Sequence, residues 1–376
     1  MLIEHATAYV DGYFEENIDV RLRSGLIVQV GQGLMPAAGE QVMDAQGQYL
    51  LPGFVDVHIH AYCGHDTMRG EADVRQMSLG LYKEGVAAFL PTTMSASVEE
   101  TKRAIAGVRA VMNRQESQGA VVLGAHMEAP FLAEKKCGAQ RKEFFMDPSM
   151  ERLLQLTGGD VDAVRMITIA PERTGSEAFI HEATAEGIVV SIGHTEATAE
   201  ETHLAAEWGA THVTHTFNAQ LPLHHRAPGV PGAALTDDRL YCEMICDGVH
   251  LHPDIIRLIV RAKGTKHAVM ITDSMEAVGM GEGQYDLGGQ QVSVHHGEAR
   301  LADGTLAGSV LTMPQALRNM IHRFGFQAED AVRMCTLTPA ESIGEKHAGR
   351  IAAESPGTLT LWDHAWNHMQ VIGETV

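Results

Sequence analysis

The amino-acid sequence predicts an α/β fold: a (β/α)8 barrel of the TIM type with a small β-sandwich built from the two chain ends. Between residues 53 and 344, eight short runs rich in β-branched residues alternate with longer segments of helical periodicity. This alternation indicates parallel strands joined by crossover helices, and eight such strands close into a barrel. The alternative is an open, doubly wound sheet, which would place a site at one switch point rather than at many strand ends.

Residues 1–52 and 345–376 differ in pattern from the middle of the chain. Runs such as NIDVRLRSGLIVQVGQG alternate apolar and polar residues and are broken by glycine turns. A period of two predicts antiparallel strands. Because chain ends tend to lie close together, we expect both segments to form one small sandwich domain beside a barrel domain of residues 53–344.

The predicted barrel strands follow one another along the middle of the chain: FVDVHIH, AAFLPT, VVLGAHME, AVRMITIAPE, GIVVSIGHT, THVTHTFN, YCEMICDGVH and AVMITDS. The clearest predicted helices between them lie at 71–85, 97–115, 176–187, 195–209 and 252–264. Residues 277–309 are rich in glycine and alternate in polarity, which predicts a hairpin inserted after the eighth strand, at the border of a pocket. Two further helical segments follow the insert.

The overall charge excludes several classes of partner. Lys and Arg number 28 against 48 Asp and Glu, so the formal net charge is −20. A chain this acidic is a poor match for nucleic acid or an anionic membrane surface, and no apolar run reaches the roughly 18 residues of a membrane helix. The N-terminus shows no secretory signal and the five cysteines show no disulfide framework. We therefore expect a cytoplasmic protein.

Side chains that bind metals recur at the ends of the predicted strands. His58 and His60 end the first strand, Glu128 the third, His194 the fifth and His215 the sixth. Residues i and i+2 of a strand share a face, so both first-strand imidazoles can point into the barrel. Imidazoles and a carboxylate hold catalytic metals while leaving a position for water. The pattern predicts one or two divalent ions, zinc by preference, with iron, manganese or cobalt as alternatives.

The fourth strand lacks the lysine that several metal-dependent barrel hydrolases modify to bridge two ions. It ends in APE, so Glu128 remains as the carboxylate that binds one metal or bridges two. Glu172 is the rival ligand, but it follows a proline and is expected to cap the next segment. His65 and His126 stand near the predicted ligands and are expected on the pocket wall. A supporting role for His126 is open because it shares a strand face with Glu128.

Asp273 ends the eighth strand, at the same end of the barrel as the predicted metal ligands. A carboxylate there can take a proton from an attacking water and pass it to a leaving amine. A metal that lowers the pKa of that water to about 7 makes a weak base sufficient. The alternative is a helix N-cap, for which the TDS segment is also suited.

A second group of residues is suited to an anion. Asn218, the backbone amide of Ala219 and Arg226 lie in the loop after the sixth strand, and His250 lies after the seventh. Loops after late strands often build phosphate sites in such barrels, and the guanidinium fork matches phosphate oxygens. The alternative is that the HHR segment is a solvated loop.

These segments together resemble the N-acetylglucosamine-6-phosphate deacetylases of the amidohydrolase superfamily. The similarity covers essentially the whole chain, in PGFVDVHIH, HMEAPF, GHTEAT, HTFNA, RAPGVPG, DGVHLHP, ITDSMEAVG, LAGSVLTM and TLTPAESIG. His-x-His alone would indicate only the superfamily. The resemblance implies hydrolysis of N-acetyl-D-glucosamine 6-phosphate to D-glucosamine 6-phosphate and acetate. A metal-activated water would be the nucleophile and Asp273 the general base and acid.

The resemblance also assigns roles to the remaining residues. It implies that Glu128, His194 and His215 bind the principal metal and that His58 and His60 belong to a second metal site where one is present. It implies a homodimer in which Arg226 and His250 can serve the neighbouring active site. The implied substrate-binding residues are Ala139, Gln140, Asn218, Ala219, Arg226, His250, Leu306, Ala307 and Gly308.

Two positions depart from the family pattern. Ala129 follows the metal-binding glutamate where the family often has glycine. Gln140 stands where some members carry a histidine thought to polarise the acetamide carbonyl, and glutamine can donate a hydrogen bond but carries no charge.

Two other functions remain open from the sequence. One is the hydrolysis of a different amide, such as the galacto epimer, a cyclic imide or a dipeptide. The other is a non-catalytic oligomeric scaffold on the same fold, which would usually have lost metal ligands that this chain keeps.

Overall fold

The computed structural model describes residues 1–373 and begins with a run of five strands. These are β1 (Leu2–Val10), β2 (Tyr13–Arg23), β3 (Leu26–Gly31), β4 (Val42–Asp44) and β5 (Tyr49–Pro52).

The elements of the barrel then follow in alternation. They are β6 (Phe54–Ile59), β7 (Ala61–Tyr62), β8 (His65–Asp66), α1 (Glu71–Lys83), β9 (Val86–Thr93), α2 (Val98–Asn113), β10 (Val121–Val122), β11 (Ala125–Phe131), α3 (Met150–Thr157), β12 (Val164–Ile169), α4 (Ser176–Ala185), β13 (Val189–Ile192), α5 (Ala199–Trp208), β14 (His212–Val213), α6 (Gly229–Thr236), β15 (Tyr241–Ile245), α7 (Pro253–Lys263) and β16 (Ala268–Ile271).

The last part of the chain holds an insert, three helices and two terminal strands. They are β17 (Gly283–Leu287), β18 (Gln290–His295), β19 (Glu298–Arg300), α8 (Met313–Arg318), α9 (Ala328–Cys335), α10 (Leu337–Ser342), β20 (Leu359–Trp362) and β21 (Met369–Ile372). Short 3-10 turns lie at Thr67–Arg69, Glu134–Lys136 and Lys142–Phe144, and a π-helical turn at Asn319–Arg323 follows α8.

The parallel sheet confirms the predicted (β/α)8 barrel. β6 pairs with β9, and the order continues β9-β11-β12-β13-β14-β15-β16 with every one of these pairs parallel. The ends meet where the Asp273 N–H donates to the His58 carbonyl at 2.8 Å and the His60 N–H to the Ser274 carbonyl at 3.0 Å. The Asp56 carboxylate adds a closing bond by accepting the Thr272 hydroxyl at 2.6 Å.

The residue pattern explains these elements. Strands β6, β9 and β11 are buried along their whole length, as expected for parallel strands covered by helices. Helices α2 and α5 begin with capping boxes, from Ser97 to Glu100 and from Thr198 to Glu201, which satisfy the first free N–H groups of each helix.

The two chain ends share one sheet. Its order is β21-β20-β5-β1-β2-β3, with β4 also paired to β1. β20 runs antiparallel to β5, which brings the end of the chain back beside its start. Apolar residues of both segments, among them Ile3, Val20, Leu50 and Leu359, form a core cluster of their own. The division into two domains at residues 52 and 345 stays a prediction.

The insert after the eighth strand is a sheet of three antiparallel strands, β17-β18-β19, rather than the single hairpin predicted. The extra strand forms because the chain turns back at Gly297, whose φ of 79° suits a tight turn. The insert packs on Met94 and Ala139, which places it at the mouth of the barrel. Among the described residues, no helix is long and apolar enough to cross a lipid bilayer.

Candidate active site

A cavity of about 580 Å³ opens at the carboxyl ends of the barrel strands. Most of the site residues predicted from the sequence line it. They are His60, Glu128, Ala139, Gln140, His194, His215, Asn218, Ala219, His250, Asp273, Leu306 and Gly308.

Three predicted site residues do not line this cavity. His58 is completely buried beneath it. Ala307 is also buried and belongs to the apolar cluster under the insert, so only its neighbours face the cavity. Arg226 is exposed on the loop after β14, where it bonds to the neighbouring His225 ring at 2.8 Å instead of turning inward. A direct contact between Arg226 and the cavity of its own subunit is therefore not present in this conformation.

Glu128, His194 and His215 form a first group of converging ligand atoms. Glu128 Oε1 lies 3.1 Å from His194 Nε2 and 3.0 Å from His215 Nε2, and the two ring nitrogens are 3.1 Å apart. These three atoms come from three different strand ends and meet at one point. Their burial keeps water from separating them.

The chemistry of this first group fits a cation. His194 Nδ1 faces the backbone carbonyl of Lys136 at 2.7 Å, and a carbonyl only accepts, so the proton is on Nδ1 and Nε2 is left with its lone pair. Two ring nitrogens and a carboxylate oxygen at this separation repel one another unless a cation or a proton lies between them. A divalent metal satisfies all three atoms at once.

His58, His60 and Asp273 form a second group. Asp273 Oδ1 lies 3.2 Å from His60 Nε2 and 3.5 Å from His58 Nε2, and those two nitrogens are 3.4 Å apart. Glu128 joins the two groups, because its Oε1 faces the first and its Oε2 lies 3.3 Å from His60 Nε2. The geometry agrees with the predicted bridging position of Glu128.

The backbone at the strand ends aims these side chains inward. His194, His215 and Asp273 all have positive φ, at 47°, 27° and 50°. Non-glycine residues in this region are uncommon and strained, and they concentrate at functional sites. Each strand therefore ends in a sharp turn that points its last polar side chain at the same centre.

The carboxylates and imidazoles shift one another's pKa strongly. Burial by itself would lower the pKa of His58, but Asp273, Glu128 and Glu243 outweigh it and raise the pKa to about 9. The pKa of His60 rises to about 10 for the same reason, against its burial. Burial would raise the pKa of Asp273, yet the two histidines lower it to about 2. The pocket floor therefore attracts positive charge, whether as protons or as metal ions.

Gln140 is held in place from both ends of its amide. Its Oε1 accepts the Ser95 N–H at 2.7 Å, and its Nε2 donates to Glu128 Oε2. The amide nitrogen is thereby directed at the bridging carboxylate. In this arrangement Gln140 orients Glu128. The histidine that some family members carry here is expected instead to polarise the substrate carbonyl.

Two alternatives from the sequence are removed by the structure. No helix begins after Asp273, so its side chain is free of an N-cap role and faces His60. Glu172 accepts the hydroxyl of Thr195 and the N–H of Glu196 at 2.7 Å, and so it stabilises the loop behind His194 instead of facing the cavity.

The expectation that His65 and His126 lie on the pocket wall is wrong. His65 lies 3.6 Å from Asp73 at the surface, outside the cavity lining. His126 is completely buried, with Nδ1 facing the Val57 carbonyl at 3.1 Å and Nε2 the Thr168 hydroxyl at 2.8 Å. Its ring packs edge to face on His58 with 4.6 Å between centroids. Both of its nitrogens are already bonded, so His126 supports His58 by packing.

The cavity lining also contains groups suited to an anion. His250 Nδ1 bonds to Asp247 at 2.7 Å, which orients the ring. Burial opposes ionisation of Asp247, but this bond outweighs it and lowers its pKa. Lys136 and Arg300 also line the cavity, where Lys136 Nζ donates to the Gln220 carbonyl at 2.9 Å and Arg300 pairs with Glu298 at 2.7 Å. The sequence analysis missed both cations, because neither stands in a loop after a late strand.

Sequence reasoning also missed Glu243. It lies in β15, is completely buried, and contacts His58. A signal was present, since a charged residue in the apolar run YCEMIC has to be buried and therefore paired.

The comparisons with known proteins find relatives along nearly the whole chain. A family model described as the amidohydrolase family matches residues 49–374. The N-acetylglucosamine-6-phosphate deacetylase of Lysinibacillus sphaericus is 36% identical over 358 residues, covering 93% of this chain and 90% of that protein. The N-acetylgalactosamine-6-phosphate deacetylase of Escherichia coli O157:H7 is 35% identical over 298 residues, covering 79% of this chain and 78% of that one.

A solved structure resembles the whole chain. It is a mutant N-acetyl-D-glucosamine-6-phosphate deacetylase of Mycobacterium smegmatis in complex with N-acetyl-D-glucosamine 6-phosphate. It has a TM-score of 0.89 and 32% identity, and the match covers 99% of this chain and 97% of that chain. The resemblance seen in the sequence is confirmed, and this chain belongs to the amidohydrolase family.

Proposed function

We propose that this protein hydrolyses N-acetyl-D-glucosamine 6-phosphate to D-glucosamine 6-phosphate and acetate. The observation that carries the proposal is the joined pair of histidine and carboxylate groups at a cavity that is also lined by His250, Lys136 and Arg300. The names of the relatives support the same reaction. The galacto epimer is the second candidate substrate, because one relative of similar identity is named for it.

The metal is proposed to be divalent, with one or two ions per subunit. Glu128, His194 and His215 would hold the first ion, and His58, His60 and Asp273 the second, with Glu128 between them. Zinc is preferred for this mixture of imidazole and carboxylate, with iron, manganese or cobalt as alternatives. When bound, such an ion lowers the pKa of a water molecule and stabilises negative charge on a carbonyl oxygen.

Asp273 is proposed to move the proton. Its carboxylate is ionised, because the neighbouring histidines lower its pKa to about 2, and it can therefore accept a proton from the attacking water. A C–O bond to the acetamide carbon forms and the C–N bond breaks. Asp273 then returns the same proton to the departing amine, and the acetic acid that keeps the second proton of the water ionises to acetate on release.

The other cavity residues are proposed to position the sugar phosphate. His250, Ala219 and Asn218 line the cavity, where the imidazole, the backbone amide and the side-chain amide can bind phosphate oxygens. Leu306 and Gly308, from the segment after the insert, and Ala139 would contact the sugar ring. The Ala129 side chain is buried behind the ligand Glu128 and does not line the cavity.

The test is an acetate-release assay on the two sugar phosphates with the wild type and Asp273→Asn. We expect the wild type to prefer the gluco substrate and the variant to lose turnover by about 100-fold to 10,000-fold, the usual contribution of a general acid–base group. Metal analysis should show that the ion at Glu128, His194 and His215 is retained. Undiminished turnover in the variant would remove Asp273 from the mechanism, and activity on the galacto substrate alone would change the substrate.

The active unit is proposed to be a homodimer in which Arg226 serves the neighbouring cavity. Its exposure and its distance from its own cavity support this arrangement. Mixed dimers of Arg226→Ala and Asp273→Asn, made by co-expression, test it. Each mixed dimer would contain one complete site, so the mixture should regain about a quarter of wild-type activity. No recovery above the separate variants, or a monomer in solution, would contradict the arrangement.

We propose that the protein works in the cytoplasm. All five cysteines are free thiols, and three of them are buried, which suits a reducing compartment.

A further inference from the structure

Glu243 is a buried carboxylate that touches both histidine groups of the site without lining the cavity. Its Oε2 lies 3.1 Å from His58 Nδ1 and accepts the backbone N–H of His215 at 3.1 Å. His58 belongs to the second group of ligand atoms and His215 to the first. One carboxylate oxygen therefore connects the two groups from below.

This contact determines which nitrogen of His58 carries a proton. An ionised carboxylate only accepts hydrogen bonds, so the facing Nδ1 must be the donor. In the neutral ring, the form that binds metal, His58 Nε2 then keeps its lone pair, and it lies 3.4 Å from His60 Nε2 and 3.5 Å from Asp273 Oδ1. Glu128 Oε1 also lies 3.4 Å from His58 Nε2, and the rings of His126 and His215 pack on His58.

The charge of the cluster points the same way. Glu128, Asp273 and Glu243 are three buried carboxylates in contact with imidazoles. Within residues 1–373, no lysine or arginine forms an ion pair with any of them. With the imidazoles neutral, as metal binding requires, one divalent ion would leave this cluster negative, whereas a second would compensate all three carboxylates. Buried charge in this amount is stable only when it is paired.

We propose that Glu243 is a positioning residue that keeps His58 in the tautomer able to bind metal and so secures the second ion of the site. This inference rests on the proposed function, because the two ions would serve the proposed reaction. The binding of the ions, however, is measured without substrate. Carboxylates that orient a metal-binding histidine in this way commonly change metal affinity by about 10-fold to 100-fold.

The test compares zinc binding by metal-free wild type, Glu243→Leu and Glu243→Gln. Leucine has a similar size and cannot accept a hydrogen bond, whereas glutamine keeps an acceptor and loses the charge. Glu172→Gln is the matched control, because Glu172 stabilises the loop behind His194 but touches no imidazole. Calorimetric titration gives the number of ions and their affinities, and the absorption spectrum of the cobalt-substituted protein reports the second site directly.

We expect two zinc ions in the wild type and in Glu172→Gln. In Glu243→Leu one ion should remain tightly bound and the other should weaken by about 10-fold to 100-fold, with a smaller loss in Glu243→Gln. At a zinc concentration near the wild-type dissociation constant, the kcat of Glu243→Leu should fall. Its KM should change little, because Glu243 does not line the cavity.

Three results would overturn the proposal: a single zinc ion in the wild type, wild-type affinity for both ions in Glu243→Leu, or equal weakening of both. Thermal melting checks that each variant folds. If Glu243→Leu fails to fold, the result for Glu243→Gln decides the question. Unchanged affinity for both ions in Glu243→Gln would show that the charge of Glu243 has no role in metal binding. A wild type that binds two ions but releases no acetate would contradict the proposed function and leave the proposal for Glu243 intact.

Discussion

Buried histidines lie at both ends of this barrel, and their surroundings shift their pKa values in opposite directions. His60, at the carboxyl end, contacts Asp273 and Glu128, which raise its pKa to about 10. His212, at the start of β14, stacks on Tyr241 with 5.0 Å between ring centroids, and burial lowers its pKa to about 3. Both residues are almost inaccessible to solvent. Burial therefore does not distinguish these two histidines, whereas the two carboxylates beside His60 do.

The largest effect is expected at the carboxyl end, on removal of metal. Chelation should lower deacetylase activity by about 1,000-fold or more, because a catalytic ion contributes several kcal/mol to the transition state. Added zinc should restore it. If the enzyme kept its activity after exhaustive chelation, with no metal bound by metal analysis, the histidines at the carboxyl end would not hold a catalytic ion.

The same end should show proton-coupled metal binding. With pKa values raised to about 9 and about 10, His58 and His60 are protonated at neutral pH without metal, so an ion must displace protons. Affinity should therefore rise with pH from 7 towards about 9 and be lost as pH falls. Calorimetry in buffers of different ionisation enthalpy measures the released protons, and a binding reaction that releases none would show that the rings are neutral.

At the amino end of the barrel strands, His212 should make the free energy of unfolding depend on pH. His212 has a pKa of about 3 when folded, against about 6.5 unfolded, so the unfolded chain takes up the proton first. Its stabilising contribution is complete above pH 6.5 and is lost as pH falls towards 3, with about 2 kcal/mol lost at pH 5. In His212→Phe the decrease in melting temperature between pH 7.5 and pH 5 should be smaller by a few degrees. An identical decrease in both proteins would mean that His212 can be protonated in the folded state.

The smallest effect is expected for a neutral group at the site. Gln140→Leu removes the hydrogen bond to Glu128 and should lower kcat/KM by about 10-fold, the value of one bond to a charged group. Met94→Leu is the comparison variant, because Met94 lines the cavity and its sulfur accepts a hydrogen bond from Gln140 Nε2 at 3.3 Å, so its loss leaves the Gln140 bond to Glu128 in place. Equal losses in the two variants would assign the effect to packing.

Much of the fold could be predicted because it depends on local periodicity. The eight strands and the helices such as α2 and α5 follow apolar spacing and capping residues. Helix α6 was not predicted, since its sequence GVPGAALT contains glycine and proline and lacks an amphipathic pattern. α3 was missed as well, because its eight residues are too few for the periodicity to stand out.

The sequence by itself determined which side chains stand at the ends of the strands, because alternation along a strand is a property of neighbouring residues. Only the tertiary structure decided which atoms meet. Glu243 and His58 are 185 residues apart and touch because closure of the barrel places the seventh and first strands on either side of the eighth. The same closure placed Glu128 between two groups, buried His58 below the cavity and left Arg226 outside it. Such distances depend on how the strands curve and pack around the barrel, which no local pattern records.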